Sequence, residues 1–292
     1  MRLPILVIFF LLCRIICFGQ IDTLNVEEDS LNTLKDSDKP KSTFTIGAVY
    51  ANNASYYGQK AVDKTPYIAA ATTYRFKFGL YFTGLAYKLL NDTTSSISAG
   101  NLGAGVNFNL SKKLAADISY NHNFYPSLSP FLQAGNADNA NLSLTYQCWL
   151  AIKLSGDYAF GKTTDGFATG GISKMISLFS ITKKDVVTIE PSADVVAGTQ
   201  RFYNTYVTQQ KLRDSLLGII PILGWNPSGG TTTTVSATSF DIISYNFKLP
   251  LAYNRSNYLL EVAYQLSLLS NKAQTGAGKV NSFGTLSFYY QF

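Results

Sequence analysis

Charge is scarce in this chain. Acidic and basic residues together make up 14% of its 292 residues, against roughly 25% in soluble globular domains. Histidine occurs once, at His122, and cysteine three times. Cys13 and Cys17 fall in an apolar amino-terminal segment, so Cys148 stands alone in the remainder and an intramolecular disulfide is excluded there. One histidine and one such cysteine are too few for a conventional His- or Cys-based metal site. Past the first segment no run of about 18 apolar residues occurs, which argues against transmembrane helices. The mean hydropathy of +0.06 is likewise too low for a helical membrane bundle. The net charge of +6 falls to +4 once Arg2 and Arg14 of that segment are removed, too diffuse to argue for nucleic acid. No cofactor is expected.

Aromatic residues, by contrast, also make up 14%, with 19 Tyr and 19 Phe. Met1–Gly19 has Arg2 ahead of an apolar stretch through Leu12 and reads as a secretory signal peptide cleaved after Gly19. Ile16 before Cys17 is unsuitable for a lipoprotein signal. Residues 20–41 carry Asp22, Glu27, Glu28, Asp29, Asp36 and Asp38 with no aromatic residue, and read as a flexible periplasmic tail. Residues 42–292 form the folded unit.

In that unit apolar and polar residues alternate with a period of two, the mark of β-strands with two unlike faces. Phe44, Ile46, Ala48 and Tyr50 make the first apolar face, and Ile68, Ala70, Tyr74 and Phe76 the second. A tight turn near Lys77–Gly79 leads to a third, Tyr81, Thr83, Leu85, Tyr87 and Leu89. Leu102–Leu110, Leu114–Tyr120, Leu142–Tyr146 and Ile152–Phe160 continue the rhythm, with a break near Trp149 inferred from length alone. Phe167–Ile181 reads as an eighth strand of muddled parity and Val187–Ala197 as a ninth, irregular at Pro191. Ile243–Leu249, a turn over Pro250–Arg255, Tyr258–Leu268 and a final strand bring the count to twelve. Short and long breaks alternate between strands. If both ends are periplasmic, the breaks near Gly58, Asp92, Gly135, Thr164, Trp225 and Thr275 are extracellular.

The final stretch, Val280–Phe292, places Leu286, Phe288, Tyr290 and Phe292 on one face and ends on a carboxy-terminal Phe. It resembles the closing strand of bacterial outer-membrane β-barrels of the porin-like kind. The resemblance implies an all-β fold, a transmembrane antiparallel up-and-down barrel of about twelve strands, monomeric and located in the bacterial outer membrane. It also implies insertion by the barrel-assembly machinery, contact with outer-membrane lipid, and passive passage of small solutes. The alternative is a non-conducting accessory, anchor or surface-binding barrel that meets a partner through its long loop or its tail. An enzyme is not expected.

Charges are confined to one strand parity. Arg75, Lys77, Asp117, Lys153, Asp157, Asp241, Lys248 and Glu261 are the lumen-facing candidates, because a charge on the lipid face costs a few kcal/mol at the midplane. They serve either a salt-bridged, rigid lumen or a polar path for a solute. Lys174, Glu190 and Asp194 have no clear parity. Gly156–Thr163 spells G-x-x-x-x-G-K-T, yet its glycines continue an alternating strand, and a phosphate loop needs a loop leading into a helix. Gly100, Gly103 and Gly105 read as inward strand positions. Outer-membrane phospholipases use Ser, His and Asn on the lipid side. His122 has that parity, but Phe124 stands where their H-x-S motif has its nucleophile, so His122 reads as a rim residue and no catalytic residue is assigned.

Residues 199–234 form the longest break, a length usually reserved for function or disorder. Tyr203–Leu217 suits a short amphipathic helix, and Ile219, Ile220, Leu223 and Trp225 follow as residues expected to cap the entrance against the upper wall.

Overall fold

The computed structural model describes residues 41–92, 96–127, 129–217 and 238–292. Strands follow in chain order as β1 (Thr43–Ala51), β2 (Tyr67–Arg75), β3 (Leu80–Leu89), β4 (Ala99–Ser111), β5 (Leu114–Phe124), β6 (Asp138–Gln147), β7 (Ala151–Phe160) and β8 (Thr164–Ser173). They continue as β9 (Ile176–Phe179), β10 (Asp185–Ile189), β11 (Ser192–Gly198), β12 (Asp241–Arg255), β13 (Tyr258–Leu269) and β14 (Val280–Gln291). A 3-10 turn spans Leu132–Gly135, and one helix, α1, spans Phe202–Leu217.

Each wall strand pairs antiparallel with its neighbours, and β1 pairs with β14 from Thr45↔Gln291 to Ala51↔Thr285, which closes the sheet. Beyond the last paired residue the Phe292 N–H donates to the Phe44 carbonyl at 2.9 Å, and the two rings lie 5.9 Å apart. The wall has twelve strands because β8 with β9, and β10 with β11, each occupy one wall position. The first is interrupted at Lys174–Met175 and the second at Glu190–Pro191, side by side: the Lys174 N–H donates to the Pro191 carbonyl. Proline has no N–H to give the ladder, and the break sits there. Lys174 and Glu190 therefore lie in the break. The muddled parity of Phe167–Ile181 is this interruption.

Two other expectations change. Pro250–Arg255 is strand, since β12 runs to Arg255 and the turn is Ser256–Asn257, with Ser256 at φ 46°. Pro250 is tolerated mid-strand at the level where β12 exchanges its β11 neighbour for β10, its carbonyl accepting from the Glu190 N–H. In β3 the face Tyr81, Thr83, Leu85, Tyr87 and Leu89 points inward, not outward, because the turn Phe76–Gly79 shifts the phase. Phe82 is the exposed residue, and Leu89 is buried.

Elsewhere the apolar face is the outer one. Ile46, Ile118, Leu142, Leu154, Val262 and Phe288 are all exposed. A closed sheet with aliphatic side chains on its exterior is matched to lipid, because its ladders pair the backbone internally. Charge is not wholly confined to the inner parity: Lys88 stands beside Ile68 and Asp138 beside His122 on the outer one, both near the loop-side ends of their strands. Aromatic clusters mark both ends of this belt, Tyr74–Phe76–Phe78 at the short-turn end and Tyr120, Tyr158 and Phe160 at the other. The connections at one end are tight, as at Lys112–Lys113, whereas those at the opposite end carry 52–66, 125–137 and 199–240.

Candidate functional site in the barrel mouth and lumen

The long-loop end is filled by two insertions. The β1–β2 loop doubles back at Tyr56–Gln59, where Tyr56 and Gln59 exchange backbone hydrogen bonds. The reversal needs left-handed backbone at Tyr57 (φ 51°) and Gly58 (φ 80°). A Cβ on Gly58 would lie 2.6 Å from Asn246 Oδ1, so the loop tip presses on the wall where only glycine fits. The wall holds it in return: Ser244 Oγ donates to the Tyr57 carbonyl and Asn281 Nδ2 to the Gly58 carbonyl, both at 2.9 Å. The second insertion is the start of α1. Phe202 and Tyr206 are buried among Leu132, Phe167, Ile243 and Leu269. Tyr57 stacks on Phe167 at 3.9 Å and Tyr56 meets Phe202 edge-on at 4.9 Å. The Val62 N–H donates to Tyr206 Oη, tying the two insertions together.

One carboxylate anchors the helix. Asp165, fully buried at the top of β8, accepts from Thr199 Oγ1 and the Arg201 N–H through Oδ1, both at 2.7 Å. Its Oδ2 accepts from the Phe202 N–H and Asn136 Nδ2, both at 2.9 Å. The first N–H groups of a helix lack intrahelical partners and carry partial positive charge, so a carboxylate from another strand both caps and neutralises them. Burial pushes the Tyr56, Tyr57 and Tyr125 hydroxyls well above the usual tyrosine range, so these rings stay un-ionised further into alkaline pH.

Below the plug the lumen is polar. The Tyr81 hydroxyl donates to Asp117 at 3.0 Å, and the Arg75 guanidinium lies 4.9 Å from the centre of the Tyr81 ring. The hydroxyl end of that ring lies over Gly105, where a Cβ would come within 2.4 Å of it. Asn141 donates to Asp157 at 2.8 Å and Asn246 to Asp194 at 2.6 Å. Lys153 pairs in register with Thr145 and Gly171, Lys248 with Ser192 and Gln265, and Glu261 with Ala252 and Ser287, all on the inner parity. Asp117, Asp157 and Asp194 thus each accept from a neutral donor. A cavity of about 110 Å³ opens beneath the β5–β6 loop between Tyr67, Tyr87, Tyr125 and Phe131, with Asn123 and Gln133 on its rim.

Two of the sequence-derived lumen residues lie elsewhere. Lys77 is exposed in the β2–β3 turn, where its N–H donates to Ser42 Oγ. Asp241 stands at the loop-side rim and accepts from Ser239. Ile219, Ile220, Leu223 and Trp225 lie outside the described residues. Gly156–Phe160 belong to β7, Gly161–Thr163 form a turn, and β8 starts at Thr164, so the phosphate-loop spelling sits on a hairpin. His122 faces outward, as its parity implied, with Nδ1 2.7 Å from Asp138 Oδ1. Phe124 packs edge-on against its ring at 4.6 Å. Cys148 lies in the β6–β7 turn, partly buried, and not on the lipid-facing strand surface.

Asp165, Tyr56, Tyr57, Phe202 and Tyr206 carry the plug; the sequence placed Tyr206 in the helix expected over Tyr203–Leu217, which the structure has at Phe202–Leu217, but gave none of the five a role in the mouth. Asp165 left a trace of its own, an acidic residue opening an alternating stretch.

No protein-family profile matches the chain, and no curated protein does. Among solved structures it is similar to the KdgM porin (9% identity, 85% of this chain and 99% of that one, TM-score 0.48). It is also similar to a bacterial polysaccharide outer membrane secretin (8% identity, 88% and 100%, TM-score 0.46) and to LpxR from Salmonella typhimurium (6% identity, 85% and 98%, TM-score 0.43). Values this low carry no argument about activity. The chain's own register and surface define its class, a closed twelve-stranded β-barrel of porin-like architecture with its mouth filled by its own loops.

Proposed function

We propose that the protein is an outer-membrane channel for small polar solutes, held shut at its long-loop mouth by the α1 and β1–β2 insertions. The observation that carries this reading is the division of the interior into an aromatic plug latched by one carboxylate and a charged, amide-rich lumen beneath it. A barrel needed only as an anchor gains nothing from keeping Asp117, Asp157 and Asp194 along one continuous inner surface. Passage through it requires the plug to yield, and a latch made of four hydrogen bonds to one side chain is a device that yields locally. In planar bilayers the wild-type protein should conduct rarely, and Asp165→Ala should conduct often with the same unit conductance. Silence from both proteins, each verified as folded and inserted, would favour the second reading, a non-conducting surface-binding barrel. That reading draws on the complete burial of Phe202 and Ile243 in the mouth.

A further inference from the structure

The wall is closed, yet β9 leaves the edge away from β10 open. Among the described residues β9 pairs with β10 alone, and all four of its residues are exposed. It runs past the end of its β7 neighbour, because Ser173 of β8 already faces Ala151, the first residue of β7. The β9–β10 hairpin therefore projects from the short-turn end of the barrel. Its tip is built to stay in place: Asp185 accepts from the Ile181 and Thr182 N–H groups at 2.7 and 3.0 Å, and the Tyr253 hydroxyl donates to it. Ile176, Leu178, Phe179 and Ile181 are exposed beside the open edge, Ile181 at 68%.

Such an edge cannot lie in hydrocarbon, where unpaired N–H and C=O groups cost several kcal/mol each. In water it is a template for another strand, which natural proteins cover or blunt. Pairing with an added strand would satisfy the backbone and cover the four apolar side chains together.

We propose that the occupant is the chain's own amino-terminal segment, residues 20–40, added as an extended strand along β9. Three observations select it. The segment joins the barrel at Thr43, at the same end as the hairpin. Its charge is complementary: Asp22, Glu27, Glu28, Asp29, Asp36 and Asp38 outnumber Lys35 and Lys39, whereas this end of the barrel exposes Lys77, Lys112, Lys113, Lys183 and Lys184. Its length is sufficient. β1 and β9 stand nearly opposite each other in the ring, and twelve strands at about 4.8 Å spacing with the usual tilt give a barrel roughly 25 Å across. About eight extended residues cover that distance. Ile21–Val26, rich in strand formers, is then free to reach β9, with Glu27–Asp29 beside Lys183 and Lys184.

Amide exchange on the full-length protein in detergent micelles tests the pairing without reference to conductance. In the full chain the β9 amides that point away from β10 should exchange at least tenfold more slowly than in a variant lacking Ile21–Asp38. The double variant Lys183→Glu, Lys184→Glu should exchange as fast as the deletion. With Cys148→Ser as background, Leu24→Cys combined with Leu178→Cys should form a disulfide within one chain. Equal exchange in full-length and deleted protein overturns the proposal. So does protection that survives the deletion and grows with protein concentration, which would assign the edge to a second copy.

Discussion

Asp165 ties together much of the mouth, through the N–H of Arg201 just before the helix, the first helix N–H at Phe202, one hydroxyl and one amide. Each buried donor left unpaired costs about 1–3 kcal/mol, so Asp165→Ala should release the helix start while the strand ladders, which do not involve this side chain, persist. Asp165→Asn keeps one acceptor and should fall between the two. Limited proteolysis near residue 202, compared with heat-modifiable migration of the whole barrel, separates these effects. A second prediction concerns the tyrosines. Burial raises the Tyr56 and Tyr57 hydroxyls above their ordinary value of 10.0. A group whose folded pKa exceeds its unfolded value lends stability below the unfolded value and loses it as pH rises. The plug should therefore be at full strength below about pH 10 and loosen above it. Amide exchange over residues 56–62 that stays flat from pH 8 to 11, once corrected for the intrinsic rate, would refute this.

At the level of elements, the alternation was legible wherever a strand has lipid on one side and the polar lumen on the other, as in β13 and β14. It misled where both sides are apolar or packed. The inner face of β3 carries Tyr87 and Leu89 because these sit under the inserted loops, and hydropathy cannot distinguish a plug from a bilayer. Nor can it show that Lys174 and Pro191 will meet, since they lie on different strands and only the register joins them. The plug residues were illegible for a related reason. Phe202 and Tyr206 acquire their role from Asp165 and Ile243, far away in the chain. The Val280–Phe292 pattern, on the other hand, marked the closing strand correctly, and it supports a direct test. Deleting Phe288–Phe292 removes the register from Ala48↔Phe288 to Thr45↔Gln291, and with it the contact of Phe292 with Phe44. The amount of folded, heat-modifiable protein should drop at least tenfold. Undiminished folded protein would mean that another strand can close the sheet.

For the molecule as a whole, the two ends differ in kind. One end is crowded with loops that enter the barrel, and the other has tight turns, exposed lysines and a projecting hairpin. If the loop-bearing end faces outward, single cysteines at the exposed loop positions Asp63, Lys162 or Lys272 in a Cys148→Ser background should react with an impermeant reagent on intact cells. One at Lys112 should not. Labelling at Lys112 with silence at Lys162 would invert the topology. The seam between β1 and β14 also has a meaning in time. Its partners are the first and last strands of the barrel, so this contact has nearly the greatest sequence separation the folded unit allows, and such contacts form late and slowly. Until Gln291 exists, Thr45 pairs on its β2 side alone, and every shorter chain is an open sheet with two free edges. The appearance of β14 is thus the earliest moment at which the barrel can close, and a chain that stops short of it is committed to aggregation or degradation however well its other strands have paired.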